Sequence, residues 1–304
     1  MVGVALVAAA SPLGGVASVR QLTFNTATDW SPDWCPDGNI VFVSARGGGS
    51  NVWLMPADGE STLSAVRLTN DPSSNWDPRV SPDGQDVVYV SNRTASDREI
   101  WRMNLGSGVE TRLTEIPAYD LQPTWSPDGD FIVFVSDRNE TWDLWLMGAW
   151  GEDPEYLTPG PYVEYQPCFS PDGSKIVFMS TRSGNYDVWL MSTGGGEDSA
   201  VQLTHDPGRD YTPSWSPDGR SIAFSSERSG NPEIWIMDAG GENHGLAQVT
   251  EDPADDRQPR WSPDGTRIVF ASDRTGNWDI WVADDLPVGV ESATWGQIKT
   301  RFRR

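Results

Sequence analysis

Apolar positions along this chain come in short blocks rather than at helical spacing. From Gln258 to Trp281 it reads Q-P-R-W-S-P-D-G-T-R-I-V-F-A-S-D-R-T-G-N-W-D-I-W. Trp261 and its neighbours make one block. The run Ile268 to Ala271 makes a second, and Asp279 to Val282 a third. Between them lie Ser262-Pro263-Asp264-Gly265 and Asp273-Arg274-Thr275-Gly276-Asn277, whose Pro, Asp and Gly suit tight reversals. A four-residue apolar run is too short for a helix and suits a strand covered on both faces. The block therefore predicts three strands joined by turns. In earlier units a fourth strand follows, ending at Leu68-Thr69, Leu113-Thr114, Leu157-Thr158, Leu203-Thr204 and Val249-Thr250.

The block occurs six times. The Asp of its P-D-G turn recurs as Asp37, Asp83, Asp128, Asp172, Asp218 and Asp264, at steps of 44 to 46 residues. A period of that length is the signature of propeller blades. The sixth unit stops after its third strand, at Trp281 to Leu286, while an orphan fourth strand, Val19 to Thr23, precedes the first. Completing the last blade with that strand leaves no open sheet edge. The expected fold is all-β, a six-bladed β-propeller of four-stranded blades over residues 19–286. It is flanked by an apolar arm at 1–18 and a basic tail at 287–304.

Composition sharpens this. With 16 Trp the core is aromatic. One column holds Trp53, Trp101, Trp145, Trp189, Trp235 and Trp281; a second holds Trp34, Val80, Trp125, Phe169, Trp215 and Trp261. Both read as packing between blades, since large rings bury most area per residue. A net charge of −22 argues against a nucleic-acid partner and favours cationic ones. Cys35 and Cys168 fall in units one and four, across the axis from each other, and are expected to be free thiols.

The arm, with Val2, Val4, Leu6 and Ala8-Ala9-Ala10, resembles the apolar part of a secretory signal, or alternatively a strand that pairs with another molecule. Neither makes a transmembrane span. In the tail, Trp295, Ile298 and Phe302 share a helical face flanked by Lys299, Arg301, Arg303 and Arg304.

Aligning the units turns residues into rings. Asp29, Asn75, Asp120, Glu164, Asp210 and Asp256 enter the innermost strands, and their five carboxylates are expected to converge on the mouth of the central channel. Such a ring needs a compensating cation. This makes it the expected ligand site, for a basic group of a partner or for Ca²⁺ at Asp120, Asp210 and Asp256; the alternative is that turn amides satisfy each acid. Arg46, Arg93, Arg138, Arg182, Arg228 and Arg274 form another ring, read as pairing with Asn51, Glu99, Asp143, Asp187, Glu233 and Asp279 to fix a turn.

Signs of catalysis are thin. There is no G-x-S-x-G turn, P-loop or dinucleotide glycine pattern, and His205 and His244 have no zinc-like spacing.

The motif P-x-W-S-P-D-G-x-x-I-V-F-x-S-D-R-x-G-N-x-D-I-W-x-M, fullest at Pro123 to Met147 and Pro213 to Met237, resembles the β-propeller repeat of TolB. The resemblance implies a periplasmic or otherwise exported protein-binding propeller. TolB-type proteins precede this propeller with an α/β domain, and similar propellers precede peptidase domains. Neither fits in this chain, so the resemblance implies a bare, non-catalytic binding module. The alternatives are a self-assembling filament or surface-layer subunit using the arm or tail, and a polysaccharide lyase using channel carboxylates.

Overall fold

The computed structural model describes residues 17–57, 65–94, 97–194, 196–242 and 245–287. The secretory or assembly arm before residue 17, the basic tail after residue 287, and His244 lie outside the described residues. Strand β1 (Ser18–Gln21) comes first. Blade one is β2 (Asp29–Trp34), β3 (Asn39–Ser44), β4 (Asn51–Pro56) and β5 (Val66–Arg67). Blade two is β6 (Asn75–Val80), β7 (Asp86–Ser91), β8 (Glu99–Asn104) and β9 (Glu110–Arg112). Blade three is β10 (Asp120–Trp125), β11 (Phe131–Ser136), β12 (Asp143–Gly148) and β13 (Glu155–Tyr156). Blade four is β14 (Glu164–Phe169), β15 (Lys175–Ser180), β16 (Asp187–Ser192) and β17 (Val201–Gln202). Blade five is β18 (Asp210–Trp215), β19 (Ser221–Ser226), β20 (Glu233–Asp238) and β21 (Ala247–Gln248). Blade six is β22 (Asp256–Trp261), β23 (Ile268–Ser272) and β24 (Asp279–Asp284), with β1 as its outermost strand.

The closure expected from the orphan strand is the one found. β1 runs antiparallel to β24 with Val19 opposite Ala283 and Gln21 opposite Trp281. Just past it, Leu22 N–H donates to the Ile280 carbonyl at 2.7 Å, and Leu22 is buried with Phe42 and Ile280. β2 of blade one packs against β22, β23 and β24, so the ring is continuous.

The apolar runs form the second strand of each blade and are fully buried, as at Ile40 to Val43 and Ile132 to Val135. Blades stack face to face through these strands, which is why the runs are continuous rather than alternating. Trp34 and Trp125 sit at the interfaces and donate from Nε1 to the carbonyls of Arg260 and Arg79 of the preceding blade, each at 3.1 Å. In the P-D-G turn Asp264 accepts from Ser262 Oγ at 2.5 Å and from Thr266 N–H at 3.0 Å. Gly265 there has φ of 71°, and a Cβ would come within 3.2 Å of Pro217 of the preceding blade. Left-handed geometry and close approach both call for glycine.

Candidate functional site

Each innermost strand carries a bulge two residues after its start. In blade one the register steps between Trp30 and Asp33. The same break recurs in the other blades, and the residue at it has positive φ: Ser31 (49°), Asp77 (48°), Gln122 (51°), Gln166 (56°), Thr212 (53°) and Gln258 (60°). None is glycine, and each costs about 1–3 kcal/mol of backbone strain. The strain re-aims these residues, and five of them line the axial constriction between the blades. There they bond one blade to the next. Ser31 N–H donates to Gln258 Oε1 at 2.8 Å, Gln166 N–H to Gln122 Oε1 at 2.8 Å, and Thr212 N–H to Gln166 Oε1 at 2.7 Å. Ser31 Oγ donates to Asp77 Oδ1 at 3.0 Å.

Strand periodicity alone does not single out this ring. Its signal was present as a polar residue directly before the recurrent proline of every unit, at Ser31-Pro32, Asp77-Pro78, Gln122-Pro123, Gln166-Pro167, Thr212-Pro213 and Gln258-Pro259.

The ring of acids lies one turn of pleat away, at the strand starts, and its geometry differs from expectation. Asp29, Asn75, Asp120, Glu164, Asp210 and Asp256 are all fully buried, with none exposing more than 1%. They lie between blades rather than converging on open solvent. Each is held by the arginine ring of its own blade: Arg46 to Asp29 at 2.8 Å, Arg138 to Asp120 at 3.0 Å, Arg182 to Glu164 at 2.9 Å, Arg228 to Asp210 at 3.0 Å and Arg274 to Asp256 at 2.6 Å. In blade two Arg93 reaches Asn75 at 3.3 Å and pairs with Asp71 at 2.9 Å and with Glu110.

The arginine ring was expected on Asn51, Glu99, Asp143, Asp187, Glu233 and Asp279, and this assignment is corrected. Antiparallel pairing sets Asp29 opposite Ser44, so Arg46, two residues on, lies over the strand start. Arg46 Nε donates to Ser44 Oγ at 2.8 Å, and the other five arginines repeat the contact. Each guanidinium also lies over the Trp of the next strand, from 4.4 Å for Arg93 on Trp101 to 5.3 Å for Arg228 on Trp235. The second set of acids anchors the fourth strand instead. Thr114 Oγ1 donates to Glu99 at 2.6 Å, Thr250 to Glu233 at 2.6 Å and Thr23 to Asp279 at 3.2 Å.

Burial holds the carboxyls of Asp120, Glu164 and Asp256 above the usual range and pushes Asp210 up to about 6, against the pull of their arginines. The three acids named for Ca²⁺, Asp120, Asp210 and Asp256, belong to blades three, five and six, each committed to its own arginine. Among the described residues no three His, Cys, Asp or Glu side chains come together to hold a metal ion. Cys35 is buried and Cys168 half-buried, both free.

Two cavities open on either side of the constriction. At the end of the acid ring, a cavity of about 390 Å³ is lined by Thr28, Trp30, Gln166, Tyr211, Thr212, Arg257, Gln258 and Trp278. Arg257 bridges its aromatic walls, 5.7 Å from the centroids of both Tyr211 and Trp278. The aromatic surface continues around this end: Arg98 lies over Trp76, Trp142 packs on Tyr119 and Tyr165, and Phe24, Ile116, Tyr119 and Tyr162 stand exposed. At the P-D-G end a cavity of about 410 Å³ touches all six blades and contains Asp33, Arg79, Thr124, Cys168, Ser214 and Arg260.

The chain matches the TolB beta propeller domain family over residues 61–160, 155–246 and 203–300. Among solved structures it resembles TolB from Acinetobacter baumannii, at 24% identity and a TM-score of 0.66, over 77% of this chain and 57% of that one. A putative TolB from Agrobacterium tumefaciens gives 25% identity and 0.63, over 74% and 82%. An oligogalacturonate lyase solved with manganese gives 17% and 0.60, over 90% and 94%, a likeness of fold alone. The chain thus spans little more than half the length of the Acinetobacter protein. No helix among the described residues is long and apolar enough to cross a membrane.

Proposed function

Because the chain belongs to the TolB beta propeller domain family, we propose that it is a non-catalytic propeller of the bacterial cell envelope or exterior that binds a protein or peptide. The binding surface is the channel mouth underlain by Asp29, Asn75, Asp120, Glu164, Asp210 and Asp256. The observation that carries this reading is the collar of Trp30, Tyr211, Trp278 and Arg257 around the 390 Å³ cavity. Trp, Tyr and Arg are the residues that dominate protein interfaces, and they serve best around a recess that excludes water. The buried ring acts beneath that surface: its salt bridges fix the arginines, and so the strand starts that present Trp30, Trp76, Tyr165 and Tyr211. A net charge of −22 draws a partner with Lys or Arg groups toward the chain as a whole.

The test is binding of Lys- and Arg-containing peptides, followed by tryptophan fluorescence, to the unmodified chain and to Tyr211→Ala with Trp278→Ala. Peptides that bind the first and are lost by the second support the reading. Equal binding by both, or binding only by acidic peptides, sinks it.

A further inference from the structure

At the seams between blades two polar positions meet, one from each blade, and one seam holds them as amides. Where blade one meets blade two they are Asn51 and Asn75, and Asn75 Nδ2 donates to Asn51 Oδ1 at 3.5 Å. Where blade three meets blade four the same positions hold Asp143 and Glu164, the first residues of β12 and β14. Glu164 N–H donates to the Trp142 carbonyl at 2.8 Å, which sets the two strand starts side by side. Asp143 is 0% exposed and Glu164 1%.

One oxygen of each carboxyl is already committed. Asp143 Oδ2 accepts from Thr141 Oγ1 at 2.6 Å and from Tyr156 OH at 3.0 Å, while Glu164 Oε1 accepts from Ser180 Oγ and Arg182 Nη2, each at 2.9 Å. Asp143 Oδ1 is buried and stays bare unless the Glu164 carboxyl beside it carries a hydrogen. In blade two Arg112 pairs with Glu99 at 2.6 Å, but β13 puts Tyr156 in that register. Among the described residues Arg182 is therefore the one cation within ion-pair distance of Asp143 or Glu164. The remaining groups packed nearby are Tyr162 over Arg182 and, beyond Tyr165, Tyr186 and Asp137. Two carboxylates against one guanidinium leave a charge over, and a seam this dry removes it by keeping one proton. Burial accordingly raises both carboxyls above their ordinary values.

We propose that Asp143 and Glu164 share one proton that latches blade three to blade four, and that releasing it to solvent loosens the seam beneath the channel mouth. With the proton in place one carboxyl donates to the other, as Asn75 does to Asn51. Without it two carboxylates face each other in a dry interface and push the strand starts apart. The seam is tightest at acid pH and loosens as pH rises through the folded value of the pair. Each strand start also carries a ring next to its acid: Trp142 precedes Asp143, Tyr165 follows Glu164, and their centroids lie 5.6 Å apart. The latch thus acts on the aromatic surface of the mouth. Its action needs no ligand there, so it stands or falls apart from the binding proposed above.

The probe is the full chain labelled with fluorotryptophan, its Trp142 fluorine signal identified by its loss in Trp142→Phe. That signal is followed by nuclear magnetic resonance from about pH 4 to 8 at constant ionic strength. It is expected to move in one step at a pH above 4.5, the ordinary glutamate value, and to hold still in Asp143→Asn, whose amide supplies the hydrogen permanently. Asp137→Asn should leave the step in place. A signal that stays put in the unmodified chain, or that moves equally in Asp143→Asn, overturns the latch. A step lost in Asp137→Asn overturns it too, by assigning the titration to that neighbour. Should Asp143→Asn not fold, Glu164→Gln, which replaces the other partner, is the variant that must hold the signal still.

Discussion

Arg228 holds Asp210 by one oxygen only. Its Nη2 lies 3.0 Å from Asp210 Oδ2 and its Nη1 turns to Glu242 at 3.1 Å, while Asp210 Oδ1 is buried with no hydrogen-bond partner among the described residues. Asp29, Asp120 and Asp256 show the same half-satisfied state. In Asp120, Asp210 and Asp256 burial of the half-satisfied carboxylate favours its proton, and this makes the propeller sensitive to pH.

The sign follows from the direction of the shifts. Burial raises Asp210 from 3.8 to about 6, and Asp120, Glu164 and Asp256 move the same way. Their contribution to stability is fully present below the unfolded value and is lost as pH rises through the folded one. The exposed turn acids Asp172 and Asp264 are lowered to about 2 by their hydrogen bonds, so their contribution holds above 3.8 and is lost as pH falls through about 2. The melting temperature at constant ionic strength should therefore peak near about pH 4 and decline as pH rises to about 7. Asp210→Asn should flatten the slope between about pH 4 and 6. A melting temperature that climbs steadily from about pH 4 to 7 would refute this.

Removing an arginine should cost more than removing its acid. Arg138→Met leaves Asp120 as a buried carboxylate with only the hydroxyls of Ser136 and Thr114 beside it, at a cost of about 3–5 kcal/mol in urea denaturation. Adding Asp120→Asn removes the stranded charge and should recover part of that loss. A double variant no more stable than the single one would mean the pair is not the unit of stabilisation.

The bulge ring makes a finer prediction. Gln166 accepts from Thr212 N–H and sits at φ of 56°. Gln166→Ala loses the acceptor for a buried N–H and keeps the backbone strain, costing about 1–3 kcal/mol. Gln166→Gly loses the same bond but relieves the strain, and should be the milder by about 1 kcal/mol. If glycine proves the worse substitution, side-chain packing rather than strain governs the position.

The fold was legible because a propeller repeats its information: the 44–46-residue step and the orphan strand were enough to count and close the ring. The site was legible only as columns. Arg46 stands five residues from Asn51 and seventeen from Asp29 in sequence, so the nearer partner looked the natural one. The sheet register reversed that choice by bringing Ser44 opposite Asp29. The bulge hid the rest. It breaks the alternation of faces along the inner strand, turning Asp29 between the blades while Ser31 faces the axis, and no two-residue periodicity forecasts such a break.

Closure rests on few residues, and that makes it the sharpest test of the architecture. β1 supplies four residues to β24, and Leu22 follows as its apolar anchor, 1% exposed against Phe42 and Ile280. Leu22→Ala removes packing from both blade six and blade one and should cost about 2–5 kcal/mol. Deleting residues 17–23 does more than remove packing, because it bares the outer edge of β24, with its row of unpaired N–H and carbonyl groups. The five remaining complete blades hold their own sheets, so the deleted chain should keep a β-rich circular dichroism spectrum. Its exposed edge should then drive association, read as dimers or larger species by light scattering where the intact chain gives a lower mass at the same concentration. Supplying residues 17–23 as a synthetic peptide should reverse that association by pairing with β24. A truncated chain that scatters like the intact one, with an unchanged melting temperature, would show that the ring is held shut by its blade faces alone.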